Sequence, residues 1–231
     1  AAKEIFAYEQ TNLYQQMKKK IYYIQPTYQD SNGKLFKGKS LHVHSLAIPA
    51  LSAATPQGWD KEISIEYFEN VNFNSDASII AITSMGYDIV HGMEIAKEFR
   101  KRGKMVIFGG YQSNFSREYL LDHCDSVVHG NPGQKQMSII LTDAEDRKLK
   151  REYDCGIDVN FPFDYSVLAD RKIHFMPVLS SVGCANDCDF CCTAAIYKGC
   201  YRLRKIEYVM QELITVNKIS SKAGFVDNNI Y

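Results

Sequence analysis

Cys184, Cys188 and Cys191 fall within eight residues, in the run Cys184-Ala-Asn-Asp-Cys188-Asp-Phe190-Cys191. Thiolates this close in sequence wrap one compact inorganic cluster, each ligating its own iron. A 4Fe–4S cubane held by three cysteines keeps one iron open to chelate a substrate, whereas a fully ligated cluster only transfers electrons. Two other readings stand beside this one. A structural zinc site wants four ligands in short pairs, and Cys192 or Cys200 would have to complete the set. A ferredoxin-like carrier would need Cys200 as its fourth ligand. Cys192 adjoins a ligand and is expected to pack elsewhere, while Cys124 and Cys155 read as core or connecting thiols. A disulfide framework would space the seven cysteines along a secreted domain. Their clustering points instead to a metal site in a reducing compartment, the cytoplasm.

The spacing C-x-x-x-C-x-aromatic-C directly after a predicted strand resembles the radical S-adenosylmethionine (radical SAM) superfamily. Gly183 before the first cysteine, and Tyr201-Arg202-Leu203-Arg204 before the next helix, extend the likeness. The resemblance implies a 4Fe–4S cluster on Cys184, Cys188 and Cys191, with SAM on the open iron and Phe190 near its adenine. It also implies reductive cleavage of SAM to a 5′-deoxyadenosyl radical, fed by an electron donor such as flavodoxin or ferredoxin. Asp227-Asn228-Asn229 is similar, with one departure, to an Asp-Asp-Asn-like motif found near the SAM amino group. Asp227 is thus a candidate SAM contact, or else part of a polar turn closing a strand.

The elements that must position these residues are legible as an α/β pattern. Short apolar runs at Ile21–Ile24, Glu62–Phe68, Ala77–Ile82, Met105–Phe108 and Ser126–Val128 predict five strands, the third apolar enough to be central and parallel. Helices are expected over Leu41–Ala54, Asp88–Arg102 (ended by Gly103) and Ser116–Asp122. Strands alternating with helices predict a doubly wound parallel sheet of the flavodoxin or Rossmann type. Residues 142–172 change character and read as a linker, and residues 1–16 as an N-terminal extension. From residue 173 a strand at Met176–Ser181, the cysteine loop, a helix at Ile206–Val216 and a strand at Gly224–Val226 predict the first βαβ part of a partial TIM barrel. Ile206, Val209, Met210, Leu213 and Ile214 are expected on that helix's one buried face. About six βα units make up such a barrel, so the chain reads as ending within it and as inactive in SAM turnover by itself.

Residues 17–141 carry a second resemblance, clearest up to about 135. The order A-S-I-I-A-I-T-S, helix, K-M-V-I-F-G-G, D-S-V-V-H-G is similar to the cobalamin-binding domain that precedes many radical SAM barrels. It implies that Ser84, Gly109, Gly110 and Gly130 line the corrin or its nucleotide tail. By itself Gly109-Gly110 is either a close approach for a bulky ligand or a plain strand-to-helix turn. The loop Gln25–Gly33 lacks the histidine that ligates cobalt in one class of these domains. His42 and His44, on a predicted helix, are expected to be exposed or packed. Without cobalamin, the sheet would serve substrate recognition or pack on the barrel.

The two likenesses together imply a radical SAM enzyme, possible activities including cobalamin-dependent methyl transfer to a small molecule or unknown substrate. The alternative is a non-catalytic module holding zinc or an iron–sulfur site. Lys plus Arg equals Asp plus Glu at 27 each, so no net field points to nucleic acid. No apolar run approaches the roughly 20 residues of a membrane span.

Overall fold

Strand β1 (Lys20–Gln25) buries Ile21, Tyr22, Tyr23 and Ile24 completely, as a strand covered on both faces must. The two tyrosine hydroxyls that enter the core with it are satisfied by Ser64 Oγ at 2.5 Å and Thr55 Oγ1 at 2.7 Å. The computed structural model describes residues 18–230, so the extension expected over residues 1–16 lies outside the described residues.

Around β1 run β2 (Asp60–Ile65), β3 (Ile79–Thr83), β4 (Met105–Gly109), β5 (Ser126–Asn131) and β6 (Glu152–Ile157). They form one sheet in the order β2-β1-β3-β4-β5-β6, every neighbour pair parallel. Alternation sends Tyr22, Ile24, Ile80, Ile82, Val106 and Phe108 to one face, where they meet α2 (Ile89–Lys101) through Ile95, Ala96 and Phe99. Ile21, Tyr23, Ile79, Ile107 and Val128 face α1 (Ala47–Ala54) and α4 (Gln134–Glu145) on the other side. A short α3 (Arg117–Leu121) links β4 to β5. Gly103 ends α2 as expected. At φ 73° its N–H bonds to Arg100 O at 2.9 Å, while Lys104 N–H reaches Phe99 O at 3.1 Å.

Three expectations are corrected. The helix expected over Leu41–Ala54 begins only at Ala47, because Pro49 is tolerated in the first turn and bars helix further upstream. Leu41 instead pairs in parallel with Ile173. Residues 142–172 are not a free linker. They hold the end of α4, the sixth strand of the sheet and a 3-10 turn at Tyr165–Leu168. Their charge lies on the outside, while Val159, Phe161, Phe163, Tyr165 and Leu168 join the same core as the sheet.

The second unit comprises β7 (Met176–Val178), β8 (Ser181–Gly183), α5 (Cys192–Tyr197), β9 (Tyr201–Leu203), α6 (Ile206–Ile219) and β10 (Ala223–Phe225). β10 returns parallel to β7 across α6, which makes the expected βαβ unit. The third correction concerns α6, whose inward stripe is Val209, Glu212 and Val216. Ile206, Met210 and Ile214 are 64%, 49% and 59% exposed, so the apolar face is split rather than single. Glu212 occupies the inward phase because Arg204 holds it there at 2.6 and 2.9 Å. Among the described residues no helix is long and apolar enough to cross a membrane.

Candidate cluster loop and cofactor cleft

The cysteine loop is a closed bracket. β8 enters it and β9 leaves it, paired antiparallel from Ser181↔Leu203 to Gly183↔Tyr201. Gly183 sits at φ 85°, where a Cβ would come within 2.0 Å of Cys200 O, so only glycine passes there. Cys184, Cys188 and Cys191 are partly exposed. Cys191 is the N-cap of α5, and backbone N–H groups of Ala194 and Thr193 hold its thiol below the usual range, poised to ligate as thiolate. Cys124 and Cys155 are the opposite case, their thiols buried and pushed up to about 11.

Cys200 is half-buried and packs against the core. Cys192, expected to pack, is instead exposed, because the first position of a one-and-a-half-turn helix leaves the protein surface uncovered. Among the described residues no three His, Cys, Asp or Glu side chains converge on one point as ligands of a single ion. A cubane asks for a different arrangement, one thiolate per iron, and the loop's donor set of three accessible thiols suits it. Phe190 is 93% exposed beside Cys191, an uncovered aromatic face.

Asp227 does not present a free carboxylate. It accepts from Ser180 N at 2.7 Å, from the Ser180 hydroxyl and from Ser181 Oγ at 3.0 Å. It therefore laces the end of β10 to the segment between β7 and β8. A buried clamp supports the same segment from below. Arg204 and Glu212 are 0% and 1% exposed, and the guanidinium also donates to Val159 O, Phe161 O and Leu179 O at 2.7, 2.6 and 2.8 Å. Glu212 in turn accepts from Phe163 N at 2.8 Å and Tyr165 Oη at 3.3 Å. The signal for this clamp in the sequence was a glutamate on the inward phase of an apolar helix.

At the carboxyl edge of the sheet, where strand order reverses between β1 and β3, an apolar cleft opens between the strands and α4. Gly109, Gly110 and Gly130 line it, with Thr83, Met137 and Leu141. The glycines answer first to the protein's own packing. A Cβ on Gly110 would lie 2.5 Å from Ser84 O, and one on Gly130 would lie 2.1 Å from Gly156 O at a β5–β6 bulge. Gly109 has room, its nearest neighbour being Val128 O at 3.7 Å. Ser84 stands one residue beyond the wall, 1% exposed, its hydroxyl without a hydrogen-bond partner among the described residues. An apolar, glycine-lined cleft with an orphan hydroxyl just behind its wall suits a ligand that has an apolar face and polar edges.

The same edge carries a half-buried histidine set between two carboxylates, which the sequence did not advertise. His91 Nε2 lies 3.0 Å from Glu66 Oε1 and Nδ1 lies 3.0 Å from Glu94 Oε2. Gln29 Nε2 also approaches Nδ1, at 2.9 Å, while donating to Glu94. A neutral ring would accept from Gln29 only by turning its lone pair on Glu94, so two carboxylates outweigh one amide and the imidazolium is favoured. Burial opposes the charge, but the hydrogen bonds to Glu66 and Glu94 raise the pKa above 6.5. A raised folded-state pKa gives stability that is full below the unfolded value and is lost as pH rises through the folded one. Thermal unfolding across pH 6 to 9 should therefore show a stability loss in the wild type that flattens in His91→Gln; identical slopes would rule out the charged pair.

The two sites touch. The turn after Gly110 carries Tyr111, whose hydroxyl lies 3.0 Å from Thr193 Oγ1, two residues past Cys191.

No protein-family model matches the chain. Bacteriochlorophyllide d C-8(2)-methyltransferase of Chlorobaculum tepidum is 28% identical over 191 residues, covering 78% of this chain and 42% of that protein. Bacteriochlorophyllide d C-12(1)-methyltransferase of the same organism is 25% identical over 169 residues, covering 68% and 37%. The fold is that of the radical S-adenosylmethionine methyltransferase TsrM from Kitasatospora setae. The structure with cobalamin and a 4Fe–4S cluster bound matches at a TM-score of 0.66 and 14% identity, over 92% of this chain and 48% of that one. The structure with tryptophan substrate and a SAM analogue matches at 0.64 and 15%, over 91% and 48%. The chain thus spans less than half the length of these relatives.

Proposed function

We propose that this chain works in cobalamin-dependent radical SAM methyl transfer to a small molecule, with a 4Fe–4S cluster on Cys184, Cys188 and Cys191 and cobalamin at the cleft. Bound there, cluster, SAM and cobalamin would supply single-electron chemistry and a carrier for the methyl group. The observation that carries the reading is the Tyr111–Thr193 contact, which makes the cleft's rim and the cluster loop neighbours. The likeness to methyltransferases in sequence, and to one with both cofactors in fold, supports the same pairing.

Each residue then has a task of its own. The three cysteines bind the cluster, and Phe190 offers the adenine of SAM a flat apolar face. Ser84 offers its hydroxyl to the cofactor's polar edge, while the cleft wall at Gly109, Gly110 and Gly130 keeps water out. Asp227 serves SAM indirectly, by fixing the strand ends around it. In this reading the cofactor unit runs through β6, the cluster unit starts at β7, and a flavodoxin- or ferredoxin-like protein donates the electron.

The test is anaerobic reconstitution followed by hydroxocobalamin titration. About four irons with matching acid-labile sulfide are expected. The Co(II) form should bind without nitrogen splitting in its paramagnetic resonance spectrum, because the Gln25–Gly33 loop holds no histidine. Zinc without sulfide would overturn the cluster. Splitting lost in a His42 or His44 variant would overturn the cobalt environment, and absence of binding would overturn the cleft assignment.

A further inference from the structure

Two residues beyond Asp227, the side chain of Asn229 reaches a cluster ligand. Its carboxamide oxygen accepts from Ile230 N at 2.9 Å, which settles the amide's orientation. The NH₂ end therefore faces Cys184, with Nδ2 3.5 Å from Sγ. The approach is built into the chain on both sides. Asn228 Oδ1 accepts from Gly183 N at 3.0 Å, directly before the cysteine, and Ser181 Oγ donates to Asn229 O at 3.3 Å. With Asp227 bound to Ser180 and Ser181, each residue of the 227–229 run is tied to the strand that delivers Cys184. Gly183 itself is fixed as a glycine, because an added Cβ would fall on Cys200 O.

We propose that Asn229 is a tuning residue: its N–H donates to the Cys184 sulfur and raises the reduction potential of the cluster. This rests on the cluster reading above. One-electron reduction adds negative charge to the cluster and spreads it onto the ligand thiolates. A donor aimed at a ligand sulfur stabilises that added charge more than it stabilises the oxidised form, so reduction becomes easier. A purely structural brace would leave the potential unchanged.

The experiment uses the reconstituted chain, with potentials measured by paramagnetic resonance during a mediated dithionite titration. Asn229→Leu, which removes the donor, should shift the midpoint to a more negative value. Asn229→Asp keeps an oxygen for Ile230 N but turns a carboxylate on the sulfur, and should shift it further. Asn228→Ala loses a brace and no sulfur donor, and should match the wild type. Unchanged potentials in both Asn229 variants, with iron and sulfide content intact, would overturn the proposal. Electron–nuclear double resonance on ¹⁵N-asparagine-labelled wild type, read as the difference from equally labelled Asn229→Leu because Asn186 and Asn228 also carry the label, isolates the Asn229 nitrogen. A ¹⁵N coupling to the reduced cluster supports the bond, and its absence rejects it. A wild-type chain that takes up no sulfide would reject the cluster reading itself, an outcome distinct from either.

Discussion

Alanine at Cys184, Cys188 or Cys191 should each abolish the proposed iron–sulfur chromophore, while Cys124→Ala and Cys155→Ala should retain about four irons per chain. The reason is access and protonation. The three loop thiols are partly exposed, and backbone N–H groups hold the Cys191 thiol below its usual range. Cys124 is wholly buried, donates to Leu120 O and Ser126 O at 3.1 and 3.2 Å, and has its thiol pushed up to about 11. It offers neither a path for iron nor a ready thiolate. Cys192→Ala and Cys200→Ala should also keep the cluster, since one side chain faces outward and the other packs on the core. Iron and sulfide quantitation after anaerobic reconstitution decides the matter; equal loss at Cys192 or Cys200 would mean a different ligand set.

Glu212→Leu and Arg204→Met should each destabilise the fold by about 3–5 kcal/mol, the usual cost of leaving half of a buried ion pair behind. Against a typical total of about 5–15 kcal/mol, either loss is about a fifth of the stability or more. Glu212→Leu leaves the guanidinium charged and fully buried. Arg204→Met strands the carboxylate and strips a donor from Val159 O, Phe161 O and Leu179 O. The double variant Arg204→Met/Glu212→Leu should cost less than the two singles added, because no unpaired charge remains. It still falls short of the wild type, since those three carbonyls and Phe163 N lose partners. Urea unfolding of the four proteins measures the cycle. Singles within about 1 kcal/mol of the wild type would show that water or local relaxation replaces the pair.

The parallel sheet and the cysteine loop were legible because both are local signals. Apolar runs such as Ile21–Ile24 report burial on two faces, and three thiols in eight residues mark one compact loop. What escaped were partnerships across long separations. Arg204 meets Val159 and Phe161 over more than forty positions, which turned an apparent linker into core. Tyr111 meets Thr193 over 82 positions, and Asn229 meets Cys184 over 45. The late start of α1 was readable from Pro49, and the sixth strand was hidden behind a charged stretch whose charges face outward.

The core that absorbs Phe161, Phe163, Tyr165 and Leu168 also contains Ile21 and Ile107 of the sheet and Val178, Val182 and Val216 of the second unit. A hinge between the cleft and the cysteine bracket would have to tear this continuous apolar mass, exposing side chains worth roughly 1.5–3 kcal/mol apiece. Rigid-body opening between the two sites therefore carries a large cost in buried apolar surface.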